Sequence, residues 1–238
     1  MKKLFYFFCL TFVISSSVYS QIHSVDVYGE YSSPLTKRIN VTDIDGVGAG
    51  AKIRIKIYDN VSLNVYGGYT LYSLSQENGL ATWNWQFWGR YNDFIQQTLS
   101  DEAYKSFLSP VQKMDLLQLS FTFDYDFTVI EKLHVKPALG AGVYFYTRRL
   151  YIDETWSKYF SAIDYTFEYS FRNIAPEKFG NPLFYTAGID LNYELMENFW
   201  INGSAKYVNV FDSDYSYGFD LFPFKEALNL NLGLTILY

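Results

Sequence analysis

Few side chains in this sequence could act as a general base or as a nucleophile. The chain of 238 residues has two histidines, His23 and His134, and a single cysteine, Cys9. Nucleophilic catalysis needs a base within hydrogen-bond reach of the nucleophile. No candidate pair is present, because His23 lies close to the N-terminus and His134 lies at one end of a predicted strand. We therefore assign no catalytic residue and interpret both histidines as structural.

Two acidic stretches are candidates for calcium binding. One is Asp43-Ile44-Asp45-Gly46, and the other runs from Asp212 to Gly218. A calcium loop of the EF-hand type needs a glycine at its sixth position and a closing bidentate glutamate. Neither stretch has both features. We therefore interpret these carboxylates as solvated loop residues and predict no metal site and no cofactor.

Other charged residues are spaced in a way that predicts ion pairs. They occupy alternate positions in segments whose intervening residues are apolar, so they share one face of each strand. If that face is enclosed, the charges must be paired, because breaking a buried pair typically costs about 3–5 kcal/mol. Acidic and basic members alternate between neighbouring strands, which predicts a charge network that fills the lumen and leaves no general diffusion pore. The alternative is a water-filled channel lined by unpaired charges. Its members are Asp26, Glu30, Lys52, Arg54, Lys56, Asp124, Asp126, Lys136, Arg148, Asp190, Glu194 and Lys206.

Eight segments with a period of two would carry these charges. Their connections alternate in length. Short turns occur at Asp59-Asn60, 129–131 and 196–197, and long loops occur at 33–46, 74–113, 149–182 and 212–226. This layout is typical of an outer-membrane barrel. The sequence predicts an all-β fold, an eight-stranded antiparallel up-and-down transmembrane β-barrel with short periplasmic turns and long extracellular loops. The predicted strands are 23–32, 47–58, 61–73, 114–128, 132–148, 183–195, 198–211 and 227–238.

The face opposite the charges is apolar in all eight segments and carries no charged side chain. A charge facing lipid at mid-membrane costs about 2–4 kcal/mol, so contact with lipid would select such a face. The soluble alternative is a lipocalin-like barrel with the apolar face inside. Alternation alone leaves that alternative open. The loop lengths, the terminal Tyr238 and an aromatic content of 21% favour the membrane.

The N-terminus has the pattern of a secretory signal peptide. Lys2 and Lys3 precede an apolar run from Leu4 to Ile14, and small or polar residues follow up to Ser20. A retained anchor helix is the alternative, but the run is about half of the roughly 20 residues that a membrane helix needs. We predict a cleaved signal peptide at 1–20 and a single barrel domain at 21–238, without cysteine. The formal charge of −6 argues against nucleic acid as a partner.

The chain resembles the small eight-stranded outer-membrane barrels of the OmpA, OmpX and OmpW type. The signal peptide, the Gly48-x-Gly50-x-Lys52-x-Arg54 strand and the last strand carry the resemblance. That last strand resembles a C-terminal assembly signal formed by Leu232, Leu234, Ile236 and Tyr238. The resemblance implies a Gram-negative outer membrane, both termini in the periplasm, and contact with outer-membrane lipid and lipopolysaccharide. It also implies periplasmic chaperones and the barrel-assembly machinery as partners during biogenesis.

Three loops carry further signals. Spacing from Tyr91 to Phe107 predicts a short amphipathic helix over about 91–108, either packed on the barrel or acting as a lid. The alternation from Tyr165 to Phe171 predicts a hairpin that projects above the membrane. The fourth loop is aromatic, which often marks a contact surface, although its rings could also pack on each other. Its aromatic residues are Tyr215, Tyr217, Phe219, Phe222 and Phe224.

Three functions remain open from the sequence, because a fold does not determine a function. The first is a non-enzymatic barrel with a filled lumen that supports the envelope or presents its loops for surface contact. The second is OmpW-type passage of small hydrophobic molecules. The third is a lipid-modifying enzyme, which we disfavour because such enzymes use a His-Ser pair that faces the outer leaflet. Neither histidine is predicted at that depth.

Overall fold

The computed structural model describes residues 22–212 and 218–238. The predicted signal peptide lies outside the described residues, and so do Tyr215 and Tyr217 of the fourth loop. In the described ranges, no helix is both long enough and apolar enough to cross a membrane.

Strands dominate the described chain. Within it, short helical elements occur only in the second and fourth long loops: α1 (Gly79–Thr82), α2 (Gln86–Leu99) and a 3-10 helix at Phe219–Leu221. The strands are β1 (Ile22–Lys37), β2 (Val41–Tyr58), β3 (Val61–Gln76), β4 (Tyr104–Tyr125), β5 (Phe127–Ile130), β6 (Leu133–Phe160), β7 (Tyr165–Ile174), β8 (Lys178–Gly180), β9 (Leu183–Met196), β10 (Phe199–Val210) and β11 (Phe224–Leu237).

Eight of the strands close into a barrel. The order around the ring is β1, β2, β3, β4, β6, β9, β10 and β11, and every neighbouring pair is antiparallel. The last strand closes the ring against the first, with Val25 opposite Ile236 and Val27 opposite Leu234. Closure leaves no unpaired edge, as a barrel in lipid requires. The prediction of an eight-stranded antiparallel up-and-down barrel is confirmed.

Three strands extend well beyond their predicted outer ends. β2 begins at Val41, β4 begins at Tyr104, and β6 continues to Phe160. The reason is that residues assigned to loops find ladder partners in each other. Above the barrel, 104–111 of β4, 151–160 of β6 and all of β7 form a three-stranded sheet, which we call the outer sheet. The predicted hairpin is present as part of it.

The predicted helix at 91–108 is misplaced. The helix α2 runs from Gln86 to Leu99, and the chain from Tyr104 onward is strand β4. Residues 104–108 pair with 154–158 of β6, and that pairing overrides the helical spacing of their apolar side chains. α2 instead packs one face on the outer sheet, where Ile95 is fully buried.

Candidate functional site

The inner half of the lumen holds a cluster of five buried charges, which we call the lumen charge cluster. It comprises Asp26, Lys52, Arg54, Asp124 and Asp190. Lys52 Nζ lies 2.9 Å from Asp26 Oδ2 and also contacts Asp190 across the lumen. Arg54 Nε lies 3.2 Å from Asp124 Oδ2, and its Nη2 lies 3.8 Å from Asp26 and from Asp190. Strand alternation brings these side chains inward, and closure of the ring brings them together.

Glu30 and Lys206 lie next to this cluster but make different contacts. The carboxylate of Glu30 accepts hydrogen bonds from Tyr66 and from Thr70, at 2.5 and 2.8 Å. The Lys206 ammonium lies 4.6 Å from the ring centroid of Tyr66. Tyr66 itself stacks on Tyr28. Aromatic side chains therefore share the inward space with the charges, a feature that charge alternation alone did not reveal.

The other predicted lumen charges lie at the ends of the barrel. At the rim that carries the short turns, Asp126 contacts both Lys136 and His134, at 2.9 and 2.8 Å. Glu194 is half-buried at the same rim. The assignment of Lys56 to the lumen requires correction, because its side chain is exposed where β2 ends. Arg148 is buried but lies in the outer half, away from the acidic residues.

The outer half of the lumen is lined mainly by apolar side chains and is filled by residues of the fourth loop and of the start of β11. Phe219, Phe222 and Phe224, which we call the aromatic plug, are buried in one cluster with inward residues of the strands. Phe222 packs on Tyr144 and Tyr146, with ring centroids 5.6 and 5.1 Å apart. Of the two alternatives for these phenylalanines, the structure supports packing of the rings on each other and not an exposed contact surface. Their rings pack inward because the strands present an apolar wall at this level.

Two arginines hold the plug in place through its backbone. Arg38 Nη1 donates to the Phe219 carbonyl at 2.6 Å, and its guanidinium lies 3.6 Å from the Phe219 ring centroid. Arg148 Nη1 donates to the Leu221 carbonyl at 2.8 Å, and its Nη2 donates to Gln112. The spacing of charges predicts a salt-bridge role for Arg148 and gives no role to Arg38. Only the folded loop shows that both bind carbonyl oxygens.

In contrast to a soluble protein, the barrel exposes apolar side chains on its outer face and encloses charged ones. Phe121 on the outer face is 58% exposed, whereas Arg54 in the lumen is 1% exposed. The outward-facing residues of β4 are apolar or aromatic over 117–125, a length close to the roughly 9–11 residues that a tilted strand needs to cross a bilayer. The chain is a transmembrane β-barrel. Aromatic residues border its apolar belt, with Tyr31, Tyr69 and Tyr185 on the loop side and Tyr125, Tyr193 and Tyr238 on the turn side.

Above the belt, a cleft opens between α2 and the outer sheet. Its volume is about 510 Å³. Beneath its wall lies the carboxylate of Glu154, which is 1% exposed. Glu154 accepts hydrogen bonds from the Tyr91 hydroxyl, the Trp156 indole and the Asn173 amide. Burial, together with the hydrogen bond to Glu154, raises the pKa of Tyr91 to about 12, so this hydroxyl remains a donor at physiological pH.

The remaining candidate residues do not assemble a reactive site. His134 stacks on Trp200 at 4.6 Å while it contacts Asp126. Asp45 accepts a hydrogen bond from Tyr31, and Asp43 lies 3.9 Å from Lys37. Within 22–212 and 218–238, no group of three or more histidine, cysteine or acidic side chains has the arrangement of a metal site.

Comparisons with known proteins give matches only among solved structures. No family model and no curated protein sequence matches the chain. A major outer membrane protein of Thermus thermophilus is 13% identical, covers 90% of this chain and 99% of its own, and has a TM-score of 0.47. Neisserial surface protein A is 12% identical, with coverages of 90% and 95% and a TM-score of 0.42. CarO of Acinetobacter baumannii is 9% identical, with coverages of 90% and 97% and a TM-score of 0.37.

At these identities and TM-scores the matches carry no argument about activity. The assignment of the fold rests on the closed strand pairing and on the exposed apolar belt.

Proposed function

We propose that this protein is a non-enzymatic outer-membrane barrel that presents its outer sheet for contact with another surface. The observation that carries the proposal is closure of the lumen at two levels. The lumen charge cluster fills the inner half, and the aromatic plug fills the outer half. An eight-stranded barrel is just wide enough for its interior to be filled in this way. A sealed lumen leaves the projecting sheet as the part available for contact.

The outer sheet has the exposure expected of a contact surface. Both faces of β7 are exposed over most of its length. Near the tip, Phe160, Ile163 and Tyr165 are all exposed, and Phe107 on β4 is 70% exposed. Contiguous exposed apolar groups of this kind often mark interaction sites. A ladder with β6, which is itself paired with β4, holds β7 in place, so the surface is presented by a sheet instead of a free loop.

The proposal places both termini in the periplasm. The short turns lie at the same end of the barrel as Ile22 and Leu237, and the outer sheet rises from the opposite end. Protease added to intact cells should therefore cut at the tip, 161–164, and spare Asp59-Asn60. Cleavage of the mature chain at Asp59-Asn60 in intact cells would overturn this orientation.

The same orientation supports the proposed partners. Asp115, Arg149 and Glu177 form a chain of contacts at the outer border of the belt, near Tyr69. We propose that lipopolysaccharide headgroups meet the barrel there. Leu232, Leu234, Ile236 and Tyr238 face outward on the closing strand, where the assembly machinery would read them.

The surface-contact role can be tested by removing apolar side chains on one side of the membrane. Cells would express the wild type or a variant with Phe160, Ile163 and Tyr165 each replaced by serine. The matched control replaces Val129, Ile130 and Met196, which are also exposed apolar residues and lie at the periplasmic turns. We expect slower settling of cell suspensions and weaker retention on polystyrene for the first variant only. Unchanged behaviour of that variant, at equal surface levels, would contradict the proposal.

Passage of small hydrophobic molecules is the second candidate function. It is favoured by the apolar lining of the outer half, and by a seal that includes Phe219 and Phe222, which lie outside the barrel strands. If this function holds, Phe222→Ala should increase uptake of a fluorescent hydrophobic dye by expressing cells several-fold. Equal uptake by wild type, variant and cells without the protein would exclude it.

A further inference from the structure

We propose that the cleft between α2 and the outer sheet binds a trimethylammonium group. Such a group is carried by free choline and by phosphatidylcholine headgroups. The inference rests on the proposed function only in that the outer sheet faces the cell exterior.

Aromatic rings form two opposing walls of the cleft. On α2, the rings of Tyr91 and Phe94 are 6.1 Å apart and nearly parallel. On β7, Tyr169 and Phe171 are 6.2 Å apart at an interplanar angle of 10°. Trp156 lies opposite Tyr169 in the sheet and joins the two walls. Ring faces carry negative potential, and aromatic walls of this kind recognise quaternary ammonium groups.

The charges around the cleft favour a cation. The buried carboxylate of Glu154 receives all three of its hydrogen bonds from neutral donors. In the part of the chain that the structure describes, no cationic side chain lies within 4.0 Å of Glu154. Asp101 supplies a carboxylate to the lining itself, in addition to the carboxylate of Glu154 beneath the wall. A buried carboxylate without a cationic partner is stabilised when a cation enters beside it.

One ring of the cleft already contacts a positively charged side chain of the protein itself. The ammonium of Lys158 lies 4.6 Å from the ring centroid of Tyr104, which also lines the cleft, and donates to its hydroxyl at 2.8 Å. Lys158 itself does not line the cleft. A bulkier cation without hydrogen-bond donors suits the remaining space. The other rings of the cleft can contact such a cation through their faces, and they offer few hydrogen-bond acceptors.

The cleft is open to the outside. Phe94 is 57% exposed and Tyr169 is 39% exposed, whereas Trp156 at the base is buried. A ligand can therefore enter without displacement of the aromatic plug or of the lumen charge cluster. Binding at this site would be independent of whether the barrel conducts.

Calorimetric titration of the folded, full-length protein in a maltoside detergent would test the proposal. The probes are choline and its uncharged isostere 3,3-dimethylbutan-1-ol. We expect choline to bind at least tenfold more tightly than the isostere. Equal affinities would show an apolar cleft without cation recognition and would overturn the proposal. Nanodiscs with and without phosphatidylcholine distinguish the two sources, because only a headgroup site would show weaker choline binding when that lipid is present.

Two variants connect the binding to the cleft. Glu154→Gln keeps the size of the side chain and removes its charge, and Tyr169→Leu removes one half-exposed ring. Each should weaken choline binding roughly three- to tenfold, the range expected for one cation–π contact or a nearby charge. Phe107→Leu is the matched control on the opposite face of the outer sheet, and it should bind as the wild type does.

Heat-modifiable mobility in gels would verify the fold of each variant. If Glu154→Gln does not fold, Tyr169→Leu decides alone. Wild-type affinity in a folded Tyr169→Leu variant would overturn the proposal. The settling and retention assays report on surface contact separately, so failure of choline binding and failure of the proposed function can be told apart.

Discussion

Both halves of the lumen are filled by side chains, but these are charged in the inner half and aromatic in the outer half. The inner half is filled by five charges supplied by strands β1, β2, β4 and β9. The outer half is filled by the aromatic plug, which the fourth loop and the start of β11 place against apolar strand residues. Both halves lie on the inward face of one continuous barrel. The difference shows that inward-facing positions must be filled, whereas their polarity can vary with depth.

The two halves should also differ in how they fail. The charge cluster contains three carboxylates and two cations, so loss of one cation leaves several buried carboxylates without compensation. The plug contains neutral rings, so loss of one ring leaves a cavity. Uncompensated charge and an unfilled cavity are each costly, but only the charge attracts water into the lumen.

Arg54→Ala should have the largest effect on stability. The substitution removes the cation that contacts Asp26, Asp124 and Asp190, and we expect a loss of about 3–5 kcal/mol of unfolding free energy. Urea unfolding in lipid vesicles, followed by tryptophan fluorescence, would measure it. Arg54→Lys is the control that retains the charge and should lose less. Equal stability of Arg54→Ala and the wild type would show that the cluster does not hold the inner half.

Phe222→Ala should have the next largest effect. Phe222 is fully buried between Tyr144, Tyr146 and Phe224, and removal of a buried ring typically costs about 3–5 kcal/mol. Because the plug belongs to a loop that can shift into the space, we expect the lower end of that range. The same unfolding measurement applies. Phe94→Ala in the exposed wall of the cleft is the control and should cost far less.

Arg148→Met should have a smaller effect. The substitution keeps most of the apolar stem and removes the hydrogen bonds to the Leu221 carbonyl and to Gln112. An unsatisfied buried acceptor costs about 1–3 kcal/mol, so the loss should lie in that range. A loss of stability as large as that of Arg54→Ala would contradict this view. It would mean that Arg148 interacts strongly with the carboxylates of the lumen charge cluster.

The coupling between the two halves should be the smallest effect. Among the described residues, Arg54 contacts Asp26, Asp124 and Asp190, whereas Phe222 packs on Tyr144, Tyr146 and Phe224. The free-energy changes of distant, independent substitutions add within about 0.3–0.5 kcal/mol. The loss of unfolding free energy in the double variant should therefore equal the sum of the losses in the two single variants. In planar bilayers, each single variant should conduct little because the other half remains closed, and the double variant should conduct more. Large, steady conductance by the wild type would show that neither half closes the lumen.

The sequence by itself determined the barrel and the direction of its side chains. The period of two separates Arg54 from Ile53 whatever the rest of the chain does, because successive side chains of a strand point to opposite faces. Short turns such as Asp59-Asn60 fixed the pairing of neighbours. The eighth segment alternates like the others. Closure of the ring is then the way to pair the backbone of every strand edge in lipid. These are local properties, and they are visible in a window of a few residues.

Only the tertiary structure decided how the lumen is filled and what lies above it. The aromatic spacing of the fourth loop fits an exposed tip as well as a plug, and the choice depends on the apolar wall at Tyr144 and Phe184. The helical spacing after Tyr104 was overridden by pairing with β6. Arg38 and Arg148 bind carbonyls that lie far along the chain. Each outcome depends on partners distant in sequence, and the energy of those contacts exists only once the barrel has closed.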